Sequence, residues 1–411
     1  MKTILVMPDC NWLSHVSRTL EIAIELRKKG FNVIYAGNGE YLKLPLSNDF
    51  EIRNIFSISK ERVLRVSRSG RANWYDISLA NECIKEELKL IEDIKPDLIL
   101  HDFRLTLSTS CEIARIPLAV TLNAAWTNYY SVKFRCPEHF FLPKLIGQKV
   151  ANFIILPIKN FVIWFDVTPI NQVRKKYGLH LKNNIWDVFQ GDLNLLTDIP
   201  EYGPTNNLPA NFHYIGPVLW EPQIDLPEWY NSIERNKPCI YFTMGSTGYP
   251  KFFQEAIDLF GNTEYQCILT TAGMAQIDTP PANFYICDYA PGSEIMKIAD
   301  MVVCHGGNGT IYQALSKGVP VIGIPTMHDQ EFNLDRVTNL GVGLQLSELK
   351  YKPEDLKNAV RNVLDDIRYK ENALKYAEIL KSYNAPKNGA ELIDTFIRVN
   401  YRNNLISHVS P

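Results

Sequence analysis

No uninterrupted apolar run of about 18 residues occurs in this chain, so no transmembrane span is expected. The opening MKTILVMPDCNW is too short in apolar length for a signal peptide and reads as a first strand. An excess of one charge is missing too. Lys and Arg number 43 against 45 Asp and Glu, a formal net charge of −2, which gives no ground for nucleic-acid binding. The eight cysteines (positions 10, 83, 111, 136, 239, 267, 287 and 304) include no Cys-x-x-Cys pair. Several sit in apolar strand-like runs and read as reduced core thiols of a cytoplasmic protein. His, Asp and Cys nowhere cluster at metal-ligand spacing, so no metal is expected. The loop after the first strand has no Gly-x-Gly-x-x-Gly, which argues against a dinucleotide-linked oxidoreductase.

What is present is an α/β pattern on an ordinary globular composition, 46% apolar and 21% charged. A chain of 411 residues divides naturally into two domains of about 200 residues each. Lys2 to Met7 reads as a strand, Pro8 to Ser14 as a loop leading to His15, Val16 to Lys29 as a helix and Phe31 to Ala36 as the next strand. That βαβ opening implies a parallel sheet. A helix over Ile77 to Ile94, a strand from Asp97 to Leu100 ending at His101-Asp102, a short helix near Thr109 to Ala114 and a strand from Leu118 to Leu122 continue it. Residues 57–74, with Lys60, Arg62, Arg65, Arg68 and Arg71, read as a mobile basic surface segment. The aromatic, apolar stretch 129–165 reads as buried helices, with a greasy acceptor wall or a membrane-surface patch as the alternative. The first domain is expected over residues 1–218 and a Pro-, Glu- and Trp-rich linker over 219–237. The α/β pattern restarts at Cys239 and the second domain is expected over 238–385.

The densest signal runs from Met301 to Leu346. A short strand breaks into His305-Gly306-Gly307-Asn308-Gly309-Thr310, and a helix then starts near Thr310 and closes at Gly318. Glycines let a backbone approach a ligand, and a helix start directs N–H groups and a positive dipole end at it. Taken alone, this is an anion site or a tight βα turn that binds nothing. The loop after the next strand carries Asp329-Gln330 on the same sheet edge, where ligands of parallel sheets bind. Phosphates on one loop and polyol hydroxyls on the other describe a nucleotide sugar.

This stretch resembles the donor signature of the UDP-glycosyltransferase superfamily, inverting enzymes of GT-B fold that include bacterial natural-product and macrolide glycosyltransferases. The matching positions are His305 to Thr310, Gln313-Ala314-Leu315, Gly318-Val319-Pro320, Pro325, Asp329-Gln330 and Asn333. Gln313 stands where the family usually has a Glu that holds the ribose hydroxyls. The resemblance implies two Rossmann-like parallel-sheet domains facing across a cleft, the first for the acceptor and the second for the donor. It also implies a last helix, within 386–411, that crosses back to the first domain. Gly245, Ser246 and Thr247 are expected beside the diphosphate, and Tyr289, in Asp288-Tyr289-Ala290-Pro291, is expected to stack on the base. The diphosphate would be met by the helix start, His305 and the Gly245 loop, with no metal and no cofactor beyond the nucleotide-sugar co-substrate. No Asp-x-Asp of metal-dependent transferases is found.

Transfer of a sugar to a hydroxyl needs a base for the acceptor proton. A lone histidine in a loop is more often a structural or surface residue than a base, but His15 falls where the resembled family has Gly-His-x-x-Pro, with Ser14 and Arg18 replacing the Gly and the Pro. Asp102 emerges at the same sheet edge and matches the orienting carboxylate of a His–Asp dyad, although it could also cap a helix. Asn11, Trp12, Trp74, Phe103 and Trp126 are candidates for the acceptor wall. Expected partners are a nucleotide sugar, UDP-glucose first with dTDP sugars tolerated, and a small hydroxylated hydrophobic acceptor, on a monomer or dimer. A GT-B epimerase acting on UDP-N-acetylglucosamine and a non-catalytic nucleotide-sugar binder are the alternatives. The acceptor has no motif.

Overall fold

The computed structural model describes the chain apart from residues 69–73, 139, 246–250, 348 and 408–411, and apart from the side chains of residues 68 and 400–407. Ser246, Thr247 and Arg71 therefore lie outside the described residues. The chain forms two compact units. One comprises Met1–Phe134, Ile154–Val218 and Tyr383–Pro411, and the other Arg135–Phe153 and Leu219–Ser382.

The first unit is built on a parallel sheet of β1 (Thr3–Pro8), β2 (Asn32–Gly37), β3 (Glu51–Asn54), β4 (Leu98–Asp102), β5 (Leu118–Leu122), β6 (Leu193–Leu196) and β7 (Phe212–Tyr214). Their order is β3-β2-β1-β4-β5-β6-β7. The strands β4 and β5 are buried along their whole length, because helices cover both faces of a parallel sheet. That double burial is why they read as unbroken apolar runs. On one face Leu5, Met7, Ile99 and Val120 pack with Ala80, Cys83 and Ile84 of the helix Ile77–Ile94. On the other, Ile4, Val6 and Leu100 meet Leu20 and Ile22 of the helix Leu13–Lys28 and Ala390, Ile393 and Ile397 of the last helix, Ala385–Ser407. The last helix is fastened by Asn388, whose Nδ2 donates to the Ile215 carbonyl at 3.1 Å.

The second unit repeats the plan with β8 (Cys239–Thr243), β9 (Gln266–Thr270), β10 (Phe284–Cys287), β11 (Met301–Cys304), β12 (Val321–Gly323) and β13 (Gly343–Gln345), ordered β10-β9-β8-β11-β12-β13. In both sheets the chain winds outward in two directions from one strand pair, β1 and β4 in the first, β8 and β11 in the second. Ligands of such sheets bind beyond the carboxyl ends of that pair.

Several expectations change. His15 is in the first turn of a helix, Leu13–Lys28, not in the loop before one, and the helix expected near Thr310 begins at Asn308. The described part of the expected mobile basic segment is ordered: Lys60–Arg68 is a helix, Val63 and Trp74 are buried, and Arg62 Nε donates to the Trp74 carbonyl at 2.7 Å, while residues 69–73 lie outside the described residues. The expected linker packs on the second unit, with Glu221 accepting from both Ser293 N and Oγ at 2.9 Å and Ile233 buried. The stretch expected as buried helices instead leaves Phe141, Phe153, Phe161, Trp164 and Phe165 exposed. The helical stretch Gln148–Lys176 is long and apolar enough to cross a membrane by length and composition alone, with Lys149, Lys159 and Asp166 interrupting its apolar run. All eight cysteines are unpaired thiols, buried except for half-buried Cys287.

Candidate functional site

In the first unit, β1 and β4 run in register with Pro8 beside Asp102. The chain leaving β1 enters the helix Leu13–Lys28 five residues later, so the first turn of that helix stands over the end of β4. His15 Nδ1 and Asp102 Oδ1 are 2.5 Å apart. A carboxylate only accepts, so Nδ1 donates and the Nε2 lone pair is the basic position. Nε2 makes no hydrogen bond among the described residues, and the His15 side chain is 14% exposed while Asp102 is fully buried. Asp102 also accepts from Thr121 Oγ1 at 2.7 Å, Arg18 Nε at 2.9 Å and Arg18 Nη2 at 2.8 Å. Burial alone would raise the Asp102 carboxyl. The Arg18 and His15 charges and these hydrogen bonds outweigh it and hold the group below the usual carboxylate range.

Arg18 was legible only as a departure from a motif, yet it is built into this pair. Its Nη1 donates to Asn123 Oδ1 at 2.9 Å, and its Nη2 lies 3.0 Å from His15 Nδ1. His15 and Arg18 are three residues apart and share one helix face, a signal available in the sequence.

Phe103 follows Asp102 in a left-handed backbone conformation, φ 61°, uncommon for an aromatic residue. The adjacent Arg104 secures that turn by donating to Glu87 Oε1, Ser57 Oγ and the Phe56 carbonyl at 2.7, 2.8 and 2.7 Å. The Phe103 ring consequently stacks on His15 at 4.5 Å and 24°. Around it stand Trp126 at 5.0 Å, Phe189 at 5.0 Å and Trp74 at 5.9 Å, with Trp186 5.5 Å from Trp126. Three of the acceptor candidates, Trp74, Phe103 and Trp126, thus meet beside His15. Phe189 and Trp186, which sequence reasoning missed, complete the group. Trp12 packs on the same core as Trp74, Phe103 and Trp126, while Asn11 ties the loop after β1. Asn11 Nδ2 donates to Asp9 Oδ1 and the Ile58 carbonyl, each at 2.9 Å, and the Lys60 ammonium lies 5.5 Å from the Trp12 ring.

In the second unit, Gly245 follows β8 and His305 follows β11 at the corresponding place. The His305 ring is held between two glycines. A Cβ on Gly245 would come 2.6 Å from its Cε1, and one on Gly307 2.6 Å from its Nε2. Burial pushes His305 down to about 4, partly offset by the Asp329 charge, so the ring is neutral near pH 7. The helix Asn308–Ser316 begins beside it with Gly307 as N-cap, and a Cβ on Gly309 would meet nothing within 4 Å. Its first N–H groups and positive dipole end suit an anion. Among the described residues, His305 Nδ1, Asn308 Oδ1 and Asp329 Oδ1 are buried without a hydrogen-bond partner, three such polar atoms at one sheet edge.

Thr310 is half-buried in the first turn of this helix. Gln313, one turn on, donates from Nε2 to the Trp220 carbonyl at 3.0 Å, which leaves Oε1 as the acceptor. Gly292 is required there, since a Cβ would lie 2.8 Å from that Oε1. Tyr289 is 60% exposed and donates to the Ala272 carbonyl at 3.1 Å, Ala290 is buried, and Pro291 is the N-cap of Gly292–Met296. Asp329 and Gln330 lie in the first turn of His328–Asn339. The Gln330 side chain turns back, its Oε1 accepting from Thr326 N at 2.7 Å and Met327 N at 3.2 Å, so the pair divides into a cap and a presented carboxylate. Among the described residues no three His, Cys, Asp or Glu side chains gather as they would around a metal ion.

Residues 255–395 match the family described as erythromycin biosynthesis protein CIII-like, C-terminal domain. A PGL/p-HBAD biosynthesis glycosyltransferase of Mycobacterium tuberculosis (strain ATCC 25177 / H37Ra) is 32% identical over 381 residues, 91% of this chain and 88% of that protein. A PGL/p-HBAD biosynthesis rhamnosyltransferase of Mycobacterium bovis (strain BCG / Pasteur 1173P2) is 31% identical over 379 residues, 92% of this chain and 84% of that protein. Among solved structures, the spinosyn rhamnosyltransferase SpnG complexed with thymidine diphosphate shares the fold with a TM-score of 0.71 at 17% identity, covering 96% of this chain and all of that one.

Proposed function

The chain belongs to the natural-product glycosyltransferases of GT-B fold, and from that premise we propose that it moves a hexosyl group from a nucleoside diphosphate sugar to a hydroxyl of a small hydrophobic acceptor, with inversion at the anomeric carbon. The observation that carries this reading is the His15–Asp102 contact at 2.5 Å beneath an aromatic wall. His15 Nε2 takes the acceptor proton as the acceptor oxygen bonds the anomeric carbon and the bond from that carbon to the diphosphate breaks. Asp102 holds the tautomer and balances the imidazolium that forms. The diphosphate departs carrying the bonding electron pair, and the start of Asn308–Ser316 with neutral His305 meets its charge. Asp329 is the group for the sugar hydroxyls, and Gln313 Oε1 the acceptor for a nucleoside hydroxyl.

Sequence alone points to UDP-glucose. Two features support placing a thymidine diphosphate-linked 6-deoxyhexose ahead of it. Gln313 offers one neutral acceptor where a Glu would grip both ribose hydroxyls. One relative is by name a rhamnosyltransferase, and the like-folded SpnG was solved with thymidine diphosphate. The test is incubation with UDP-glucose, dTDP-glucose and dTDP-rhamnose against a panel of hydrophobic phenols and alcohols, read by mass spectrometry of the conjugates. A dTDP-sugar conjugate of inverted anomeric configuration is expected. Retained configuration would overturn the single-displacement reading, and no transfer from any donor would overturn the activity itself.

A further inference from the structure

The helix Gln148–Asp166 turns an apolar stripe outward. Val150, Phe153, Ile158, Phe161 and Trp164 recur at three- to five-residue steps with Phe165 beside them, and Phe153, Phe161 and Trp164 are 81%, 62% and 51% exposed. Chains that live wholly in water rarely expose a contiguous apolar face of this kind. The opposite side is tied down: Ala151 and Asp166 are buried, Ile163 packs on the first unit's core, and Asn152 Oδ1 accepts from Cys136 N at 2.7 Å. A helix fastened along one side can lie on a bilayer but not cross it, although 17% of its apolar window is all that is buried.

Charge selects what the stripe meets. From residue 139 to residue 186 the one acidic side chain is Asp166, which is buried, whereas Lys144, Lys149, Lys175 and Lys176 are exposed. Lys159 turns inward, its ammonium 5.0 Å from the Phe134 ring. A second copy of the chain docked here by twofold symmetry would set this basic face against an identical basic face. An anionic lipid surface pairs them instead, with aromatic rings at headgroup depth. We propose that this face docks in the interfacial layer of a bilayer carrying anionic lipids, which would hold the protein where greasy acceptors dissolve.

The experiment is flotation of the full-length protein with vesicles of pure phosphatidylcholine and of phosphatidylcholine with about 30% phosphatidylglycerol, a fraction that gives a strongly negative surface. Binding to the anionic vesicles at least tenfold above the neutral ones is expected, weakened by high salt. Phe153→Ser/Phe161→Ser/Trp164→Ser should lose at least nine-tenths of the bound fraction while melting at the wild-type temperature. Lys144→Gln/Lys149→Gln/Lys175→Gln/Lys176→Gln, which leaves the stripe intact, should lose the preference for anionic over neutral vesicles. Trp164 emission should shift to the blue on binding, read as the difference between wild type and Trp164→Phe. Wild type that stays with the soluble fraction, or a triple Ser variant that floats as well as wild type, overturns the proposal. A concentration-dependent dimer abolished by the triple variant, without flotation, would assign the face to a second copy instead.

Discussion

Arg18 grips Asp102 by both carboxylate oxygens, Nε to Oδ2 at 2.9 Å and Nη2 to Oδ1 at 2.8 Å, while the same carboxylate meets His15. A guanidinium and an imidazole thus share one buried carboxylate, and the planar fork fixes its orientation. Arg18→Lys keeps the charge and loses the fork. We expect turnover to fall by about a hundredfold through misplacement of the dyad, with donor KM little changed. Arg18→Met leaves a buried carboxylate short of its main partner and should cost roughly 3–5 kcal/mol of stability, read by denaturant unfolding. Wild-type turnover in the Lys variant would reduce Arg18 to packing.

His15→Ala removes the base without burying a new charge. Turnover should drop by about two to four powers of ten while the affinity for nucleoside diphosphate stays within a factor of about two. Asp102→Asn is a less clean probe, because the Arg18 guanidinium then loses its anion and the fold weakens together with the rate. Calorimetric titration of both variants beside their turnover separates the two effects. A His15→Ala enzyme as fast as wild type would refute the base assignment.

Much of this was legible in the sequence because burial on both faces forces apolar strand runs, so β5 and the helix Ile77–Ile94 were read to the residue. The glycine loop stands out because three glycines before a helix start suit an anion, although only the Asp329-Gln330 loop on the same sheet edge separates that reading from a plain tight turn. What escaped depends on tertiary context. Arg18 replaces a family Pro, and only the approach of β4 to the first helix turn reveals its carboxylate. Gln330 was read as a sugar ligand although its place three residues into a helix also suits a cap, the use it has here. For the exposed helix Gln148–Asp166, composition allows buried helices as readily as an acceptor wall or a membrane-surface patch, because it does not say what covers a stripe.

Gly307 and Gly309 should separate fold from ligand. A side chain at Gly307 collides with His305, so Gly307→Val should lower both the melting temperature and nucleotide affinity. A Cβ at Gly309 meets only open space, so Gly309→Val should melt at or above the wild-type temperature yet lose affinity for the nucleoside diphosphate by at least a hundredfold, about 2.7 kcal/mol. Unchanged affinity in Gly309→Val, measured by calorimetry, would move the diphosphate off this loop.

His101 adjoins Asp102 on β4, fully buried with neither ring nitrogen hydrogen-bonded among the described residues. Burial pushes it down to about 4, against the upward pull of Asp102. Unfolded histidines titrate near about 6.5. Between that value and about 4 the unfolded chain therefore binds more protons than the folded one, and stability falls as pH falls through the window. Above about 6.5 the contribution is fully present. His101→Leu removes the titration and two unpaired buried atoms, so its melting temperature should drop less than wild type between about pH 7.5 and about pH 5. An equal drop would assign the acid sensitivity to other groups.

The proposed nucleoside preference rests on Gln313. Its Nε2 donates to the Trp220 carbonyl at 3.0 Å, which fixes the amide orientation and turns Oε1 to the one remaining acceptor role. A neutral oxygen accepts more weakly than a carboxylate and cannot hold two ribose hydroxyls as firmly, so discrimination against a deoxyribose is expected to be small. In Gln313→Glu one carboxylate oxygen would face the Trp220 carbonyl, a repulsion that should lower overall affinity for every nucleotide. The ratio of affinities cancels that common loss. It should shift toward UDP over dTDP by about 1 kcal/mol, about fivefold, the worth of one charge-assisted hydrogen bond. Gln313→Met, with no acceptor, should shift it the opposite way or leave it near unity. Competition between UDP and dTDP on wild type and both variants measures this directly. If the ratio is the same in all three, Gln313 does not touch the ribose, and the preference for a thymidine diphosphate donor loses the residue it rests on.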